Sequence, residues 1–210
     1  GGVSCDMDPI LELARKYHLL VIEDAAQAID SYYKSRPLGS LGHFGAFSFH
    51  ETKNIISGEG GMIVVNDSRF SERAEIVWEK GTNRAAFSRG EVACYEWLDI
   101  GSSFLPSDLT AAYLFAQLEA LEHIQKKRVA LWEHYFERLK PLEEKGVLER
   151  PTIPPYATPN GNLFYVLCSN RQERDALIGH LRENGIHAVF HYLPLHESPF
   201  YRDKHDDRIL

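Results

Sequence analysis

Residues 47–66 read FSFHETKNIISGEGGMIVVN, and the rest of the chain is interpreted outward from this stretch. Apolar runs over 45–49 and 62–65 predict two strands, joined by a polar turn that carries Lys53 and a glycine cluster at 58–61. Glycines let the backbone pass close to a ligand, and a partly desolvated lysine forms Schiff bases with carbonyl compounds. From this stretch alone, Lys53 is either such a nucleophile or a solvated loop lysine.

Composition excludes several classes of function for the 210 residues. The net charge is −7 and the basic residues are scattered, which argues against a nucleic-acid partner because phosphates require a clustered positive face. No apolar run approaches the ~18 residues of a membrane span. The three cysteines (Cys5, Cys94, Cys168) are far apart and match neither a disulfide framework nor a zinc site, so a cytoplasmic location is expected. The first and last residues both read as cut ends, which predicts a piece of a longer protein.

The first part of the chain predicts an α/β architecture. A helix pattern begins near Pro9, with Asp6 and Asp8 as acidic cap residues, and a buried strand follows over 19–22. Asp24 comes directly after that strand, at the edge of the sheet where α/β proteins gather their ligands. The same position also suits an aspartate that only caps a helix or forms a turn, so both interpretations stay open.

A long helical pattern starts at Ser107 and runs to about residue 142. We therefore predict part of a large domain over 1–125, a connecting helix over 126–150 and a truncated small α+β domain over 151–210. Two consecutive helices with a kink at 126–128 are the alternative. The small domain is expected to hold strands over 163–168 and 186–190 and a helix over 171–183.

Asp24, Ser48 and Lys53 together are what pyridoxal phosphate requires of a protein. The lysine holds the aldehyde, an acid keeps the pyridine nitrogen protonated, and hydroxyl and backbone N–H groups bind the phosphate. Other chemistry fits less well. The 58–61 cluster lacks the lysine end of a P-loop, and His187, His191 and His196 lie in a proline-interrupted segment without metal-site spacing, so no metal is predicted.

Four motifs in order resemble the DegT/DnrJ/EryC1/StrS family of sugar aminotransferases. They are EDAAQ at 23–27, FSFHETKN at 47–54, GEGG at 58–61 and HYLPLH at 191–196. The resemblance implies the type I fold of pyridoxal phosphate-dependent transferases, with a mainly parallel sheet in the large domain. It also implies pyridoxal 5′-phosphate as cofactor and a homodimer with shared active sites.

The resemblance also assigns roles to residues. Lys53 matches the Schiff-base lysine, Asp24 the partner of the pyridine nitrogen, Gln27 a residue against the cofactor ring, and Ser48 a phosphate ligand. In place of the family's G-Y-N-Y-R, residues 101–105 read GSSFL, so Ser103 stands where an asparagine would reach the neighbouring subunit's phosphate. His191 and His196 would lie near the nucleotide sugar.

The implied reaction is the transfer of an amino group from glutamate to a nucleotide-linked 4-keto-6-deoxy sugar, for cell-surface polysaccharide. KGTNR at 80–84 and DIGSSFLPSDL at 99–109 are similar to the branch with this substrate. A related enzyme that acts on another nucleotide keto sugar, and a non-catalytic sugar-binding relative, are the alternatives. A dehydratase branch carries histidine in place of the lysine, and Lys53 argues against it.

Overall fold

The computed structural model describes residues 1–204, so the predicted small domain's last residues, 205–210, lie outside the described part. The helices are α1 (Met7–Lys16), α2 (Ser71–Trp78), α3 (Arg84–Ser88), α4 (Asp108–Glu119), α5 (Leu121–Glu144) and α6 (Arg171–Glu183). The strands are β1 (Ile22–Asp24), β2 (Tyr32–Tyr33), β3 (Arg36–Pro37), β4 (Phe44–Ser48), β5 (Gly61–Val65) and β6 (Ala157–Thr158). Short 3-10 helices cover Ser68–Phe70, Leu195–Glu197 and Arg202–Lys204.

One three-stranded sheet has the order β1-β4-β5. β1 is parallel to β4, and β5 is antiparallel to β4 in a register that runs from Phe44↔Val65 to Ser48↔Gly61. The strands predicted over 45–49 and 62–65 are therefore confirmed to within one residue. The strand predicted over 19–22 instead begins at Ile22, and the N–H of Val21 donates to Nδ1 of His43 at 2.9 Å.

A second small sheet, of order β3-β2-β6, joins distant parts of the chain. Lys34 and Ser35 connect β2 to β3 with φ values of 45° and 64°, the left-handed conformation that a two-residue hairpin turn needs. β6 pairs with β2 and so brings residues 157–158 against the first part of the chain. The buried Tyr33 belongs to this sheet, and its hydroxyl donates to the carboxylate of Asp6, which thus does not cap α1 as expected.

The loop between β3 and β4 packs tightly on the strands that position the site. The carboxylate of Glu23, in β1, accepts the backbone N–H groups of Gly39, Leu41 and Gly42 at 2.6–2.8 Å. A Cβ added at Gly45 would lie 2.2 Å from the carbonyl oxygen of Gly39. Only glycine at position 45 therefore allows the loop to contact β4 in this way.

The helical stretch after residue 107 consists of two helices. Oγ of Ser107 accepts the N–H of Thr110 at 3.2 Å and caps α4, which ends at Glu119. α5 begins at Leu121 and passes through residues 126–128 as helix, so the predicted kink at 126–128 is wrong and the break lies at Ala120. The predicted domain boundaries stay a prediction.

The second half of the described chain holds fewer strands than predicted. α6 has the predicted bounds, and Asn170 caps it by accepting the N–H of Glu173 at 3.0 Å. The strands predicted over 163–168 and 186–190 are wrong, because a strand needs a neighbour with matching backbone groups. Leu167 finds such a partner only as an isolated bridge to Glu149, and residues 186–190 have no strand neighbour within residues 1–204.

Candidate active site

A cavity of about 550 Å³ lies beside the carboxyl end of β1. The first residues of the chain, β1 with the turn after it, and Lys53 form its walls. Asp24 and Gln27 are among the lining residues, so three residues that the motifs single out surround one space. The sheet brings them together because β4, which leads to Lys53, is the parallel neighbour of β1.

Lys53 lies in the turn between β4 and β5 and is half-buried. Its N–H donates to the carbonyl of His50 at 2.9 Å, and Nη2 of Arg128, from α5, donates to its carbonyl oxygen at 3.1 Å. The turn closes behind it where the N–H of Phe49 donates to the carbonyl of Gly60 at 2.8 Å. These contacts fix the backbone of Lys53, which lines the cavity.

Asp24 ends β1, and its Oδ1 accepts the N–H of Ala26 at 3.1 Å. Its carboxylate is exposed and borders the cavity that Lys53 also lines. The backbone carbonyl of Gln27, three residues on, accepts a hydrogen bond from Asn160 at 2.9 Å.

The two predicted phosphate-binding serines are not among the residues that line this cavity. Ser48 is half-buried at the end of β4, where its Oγ accepts the N–H of His50 at 3.3 Å. Ser103 is exposed and forms an antiparallel bridge with Glu79. Their roles stay predictions.

The two predicted sugar-binding histidines lie in the segment after α6. His191 is exposed and its ring stacks on that of Tyr192, with centroids 4.4 Å apart. His196 is half-buried in the Leu195–Glu197 3-10 helix. Neither lines the cavity that holds Lys53, and their roles also stay predictions.

A buried polar cluster that the sequence motifs do not include lies next to the Lys53 turn. Asn54, Gln125 and Asn160 are only 3%, 3% and 1% exposed. A signal for Gln125 was present in the sequence, because it follows Leu118 and Leu121 by seven and four residues and so puts an amide on the apolar stripe of the helix. Asn54 directly follows Lys53, and no pattern pointed to Asn160.

The donor set of the cavity fits pyridoxal phosphate. An amine can bind the aldehyde and a carboxylate can pair with the pyridine nitrogen, and here Lys53 and Asp24 border the same space. Among residues 1–204, no group of three or more His, Cys, Asp or Glu side chains could hold a metal ion. In the same residues, no helix is long and apolar enough to cross a membrane.

Comparison with known proteins identifies relatives over nearly the whole chain. The sequence model of the DegT/DnrJ/EryC1/StrS aminotransferase family matches residues 1–209. The uncharacterized protein MJ1066 of Methanocaldococcus jannaschii is 34% identical over 208 residues, which are 96% of this chain and 53% of that protein. The spore coat polysaccharide biosynthesis protein SpsC of Bacillus subtilis is 33% identical over 216 residues, with the same coverage of 96% and 53%. This chain thus spans about half the length of the curated relatives it matches.

Solved structures show the same arrangement of the chain. DesV of S. venezuelae, solved in complex with a ketimine intermediate, superposes with a TM-score of 0.81 at 31% sequence identity. The match covers 97% of this chain and 51% of the DesV chain.

Proposed function

The chain belongs to the DegT/DnrJ/EryC1/StrS aminotransferase family, and from this premise we propose that the whole protein is a pyridoxal phosphate-dependent aminotransferase of nucleotide-linked sugars. The observation that carries the proposal is the common cavity of Lys53, Asp24 and Gln27. A protein that only bound sugar would have no need of an amine and a carboxylate at one site. The expected cytoplasmic location is part of the same proposal.

Each residue then has a defined task. When bound, pyridoxal phosphate supplies an electron sink that makes the proton on the amine-bearing carbon removable. Nζ of Lys53 would bind the aldehyde and, when free, would act as general acid and base on the proton of the amine-bearing carbon. Asp24 would pair with the pyridine nitrogen and keep it protonated, and Gln27 would contact the ring. Ser48 and Ser103 of the partner subunit would bind the phosphate.

The proposed amino donor is glutamate, and the proposed acceptor is TDP-4-oxo-6-deoxy-D-glucose, on the route to enterobacterial common antigen. Support comes from two stretches that are similar to the branch with this substrate, KGTNR at 80–84 and DIGSSFLPSDL at 99–109. Hydrogen bonds join the two parts of the chain. The carbonyl of Gly81 accepts the N–H groups of Leu98 and Asp99 at 2.7 and 3.1 Å, and the N–H of Lys80 donates to Ser102 at 3.0 Å. His191 and His196 would contact the nucleotide sugar.

Borohydride trapping tests the reaction class. Reduction of the purified protein supplied with pyridoxal phosphate, followed by peptide mass spectrometry, is expected to find a pyridoxyl group on Lys53. Lys53→Ala should stay folded by circular dichroism and lose turnover to background, since no other group can replace the amine at that position. Lys127→Ala, at an exposed position of α5, is the matched control and should keep full turnover.

Substrate identity is tested separately with keto sugars on TDP and UDP carriers and isotope-labelled glutamate. We expect label on C4 of the TDP sugar. Label on another carbon, or a preference for the UDP sugar, would instead assign the protein to the related enzymes that act on another nucleotide keto sugar. A folded, cofactor-supplied protein with an unmodified Lys53 would favour the non-catalytic sugar-binding relative instead.

A further inference from the structure

The buried residues Asn54, Gln125 and Asn160 form one hydrogen-bonded cluster, which Asn160 joins through its backbone carbonyl. Nδ2 of Asn54 donates to Oε1 of Gln125 at 2.8 Å and to the carbonyl oxygen of Asn160 at 2.9 Å. Nε2 of Gln125 donates to Oδ2 of Asp30 at 3.3 Å and to the same carbonyl at 3.4 Å. The three side chains are 97–99% buried by their exposed fractions of 3%, 3% and 1%, so each lost bond would leave a desolvated polar group.

This cluster connects the two segments that carry the site. At one end of the cluster is Asn54, the residue that directly follows Lys53 in the chain. At the other end, Nδ2 of Asn160 donates to the carbonyl oxygens of Gln27 at 2.9 Å and of Ile29 at 2.7 Å. Asn160 thus uses its backbone carbonyl toward the lysine turn and its side-chain amide toward the turn after Asp24.

The side chain of Asn160 also lies directly behind Gly2 in the cavity wall. Gly2 lines the cavity, and a Cβ added at Gly2 would lie 2.1 Å from Oδ1 of Asn160. The same Oδ1 accepts the N–H of Asn162 at 3.0 Å, which holds the amide in one orientation. The cavity wall and the Gln27 turn therefore contact the side chain of Asn160, while the lysine turn is bonded to the backbone carbonyl of the same residue.

We propose that Asn160 is a positioning residue that sets the distance between Lys53 and the Asp24–Gln27 turn, acting through Asn54 and Gln125. Asn160 touches no reacting atom. This inference rests on the proposed function, because the distance matters only if the lysine and the acid serve one cofactor. A geometric error of about 1 Å at a reacting group can lower a rate about 100-fold.

The test uses Asn160→Ala in the cofactor-loaded protein, with the pH titration of the bound cofactor's absorbance as the main readout. We expect a shifted titration midpoint and a kcat lowered about 100-fold, with a KM for glutamate within threefold of wild type. Asn162→Ala is the matched control in the same loop, since its buried Oδ1 has no partner in the described structure. It is expected to leave midpoint and kcat unchanged.

If Asn160→Ala does not fold, Gln125→Met decides, because it keeps the volume and removes the amide that accepts from Asn54 and donates to Asp30 and to the Asn160 carbonyl. An unchanged midpoint and kcat in the folded variant would overturn the inference. That result is distinct from failure of the proposed function, which would appear as an unmodified Lys53 in wild-type protein after borohydride.

Discussion

Asp24 combines exposure with a fixed orientation. Its carboxylate accepts the N–H of Ala26 at 3.1 Å and borders the same cavity as Lys53. Asn in its place keeps the volume and an acceptor for that N–H, but loses the negative charge that would hold a proton on the pyridine nitrogen. Asp24→Asn is therefore expected to lower kcat by on the order of 100-fold or more, with an unchanged melting temperature.

The control for this charge is Glu51→Gln, at an exposed position in the Lys53 turn. It removes the same charge near the site and should leave kcat within twofold of wild type. Steady-state kinetics and thermal melts of both variants check the prediction. If Asp24→Asn kept wild-type kcat, Asp24 would be only the turn-forming aspartate that the sequence also allows.

At the residue scale, motif matches predicted the members of the site that border the cavity, Asp24, Gln27 and Lys53. They could not predict Asn160, because its importance comes from contacts with Gln27 and Ile29 more than 130 residues away. A lone Asn between Pro159 and Gly161 has the local signature of a loop residue. Only the contacts of the folded chain distinguish Asn160 from an ordinary loop residue.

At the scale of elements, the packing of β4 against the loop that precedes it depends on Gly45, which has no side chain. A Cβ at Gly45 would lie 2.2 Å from the carbonyl oxygen of Gly39, and because this oxygen belongs to the backbone, a segment of the chain must move. Gly45→Ala is expected to lower the free energy of unfolding by at least about 2 kcal/mol, measured by urea denaturation.

Gly179→Ala is the matched control for Gly45→Ala. Gly179 lies inside α6, and an added Cβ would meet no atom within 4 Å. Since Ala favours helix more than Gly, this variant should gain about 1 kcal/mol. A destabilised Gly179→Ala, or a neutral Gly45→Ala, would contradict the geometry of the respective element.

Elements with local causes were predictable, and those with distant causes were not. α6 was found in full because the helical spacing of its apolar residues is a local pattern. The break at Ala120 was missed because alanine favours helix, so nothing local marks the end of α4. The strands expected over 163–168 and 186–190 failed because strand formation depends on a neighbour that sequence pattern does not specify.

For the whole molecule, the expected fold class is confirmed: an α/β chain with the type I fold of pyridoxal phosphate-dependent transferases, as the superposition on DesV shows. The observed sheet is mixed, with one parallel and one antiparallel pair in the β1-β4-β5 order. The family motifs carried this prediction, because the short strands alone would suit many α/β folds.

Shared sites between two subunits make a separate prediction. If Ser103 binds the phosphate in the neighbouring subunit, each active site takes Lys53 from one subunit and Ser103 from the other. Lys53→Ala then affects the site of its own subunit, and Ser103→Ala affects the site of the neighbouring subunit. A hybrid dimer with one copy of each variant would then hold one intact site, built from Lys53 of one subunit and Ser103 of the other. Co-expression of the two variants, with separate tags for purification of the hybrid, is expected to restore about half of the wild-type kcat per dimer.

The two parent homodimers are the controls for this hybrid. Lys53→Ala should be inactive, and Ser103→Ala should bind pyridoxal phosphate more weakly, by about 10-fold for a lost hydrogen bond to a charged group. The single active site of the hybrid should bind pyridoxal phosphate with wild-type affinity, and binding as weak as that of the Ser103→Ala homodimer would show that Ser103 acts within its own subunit.

The bond from Asn160 to the carbonyl of Gln27 spans 133 positions of the chain. Ribosomes add about 5–20 residues per second, so roughly 10 s separate the synthesis of the two partners. During that interval Asp24, Gln27 and Lys53 have left the ribosome, while the Asn160 side chain that donates to the carbonyls of Gln27 and Ile29 has not yet been made. In the growing polypeptide, the residues that border the cavity are therefore made early, and the residue proposed to align them is made late in translation.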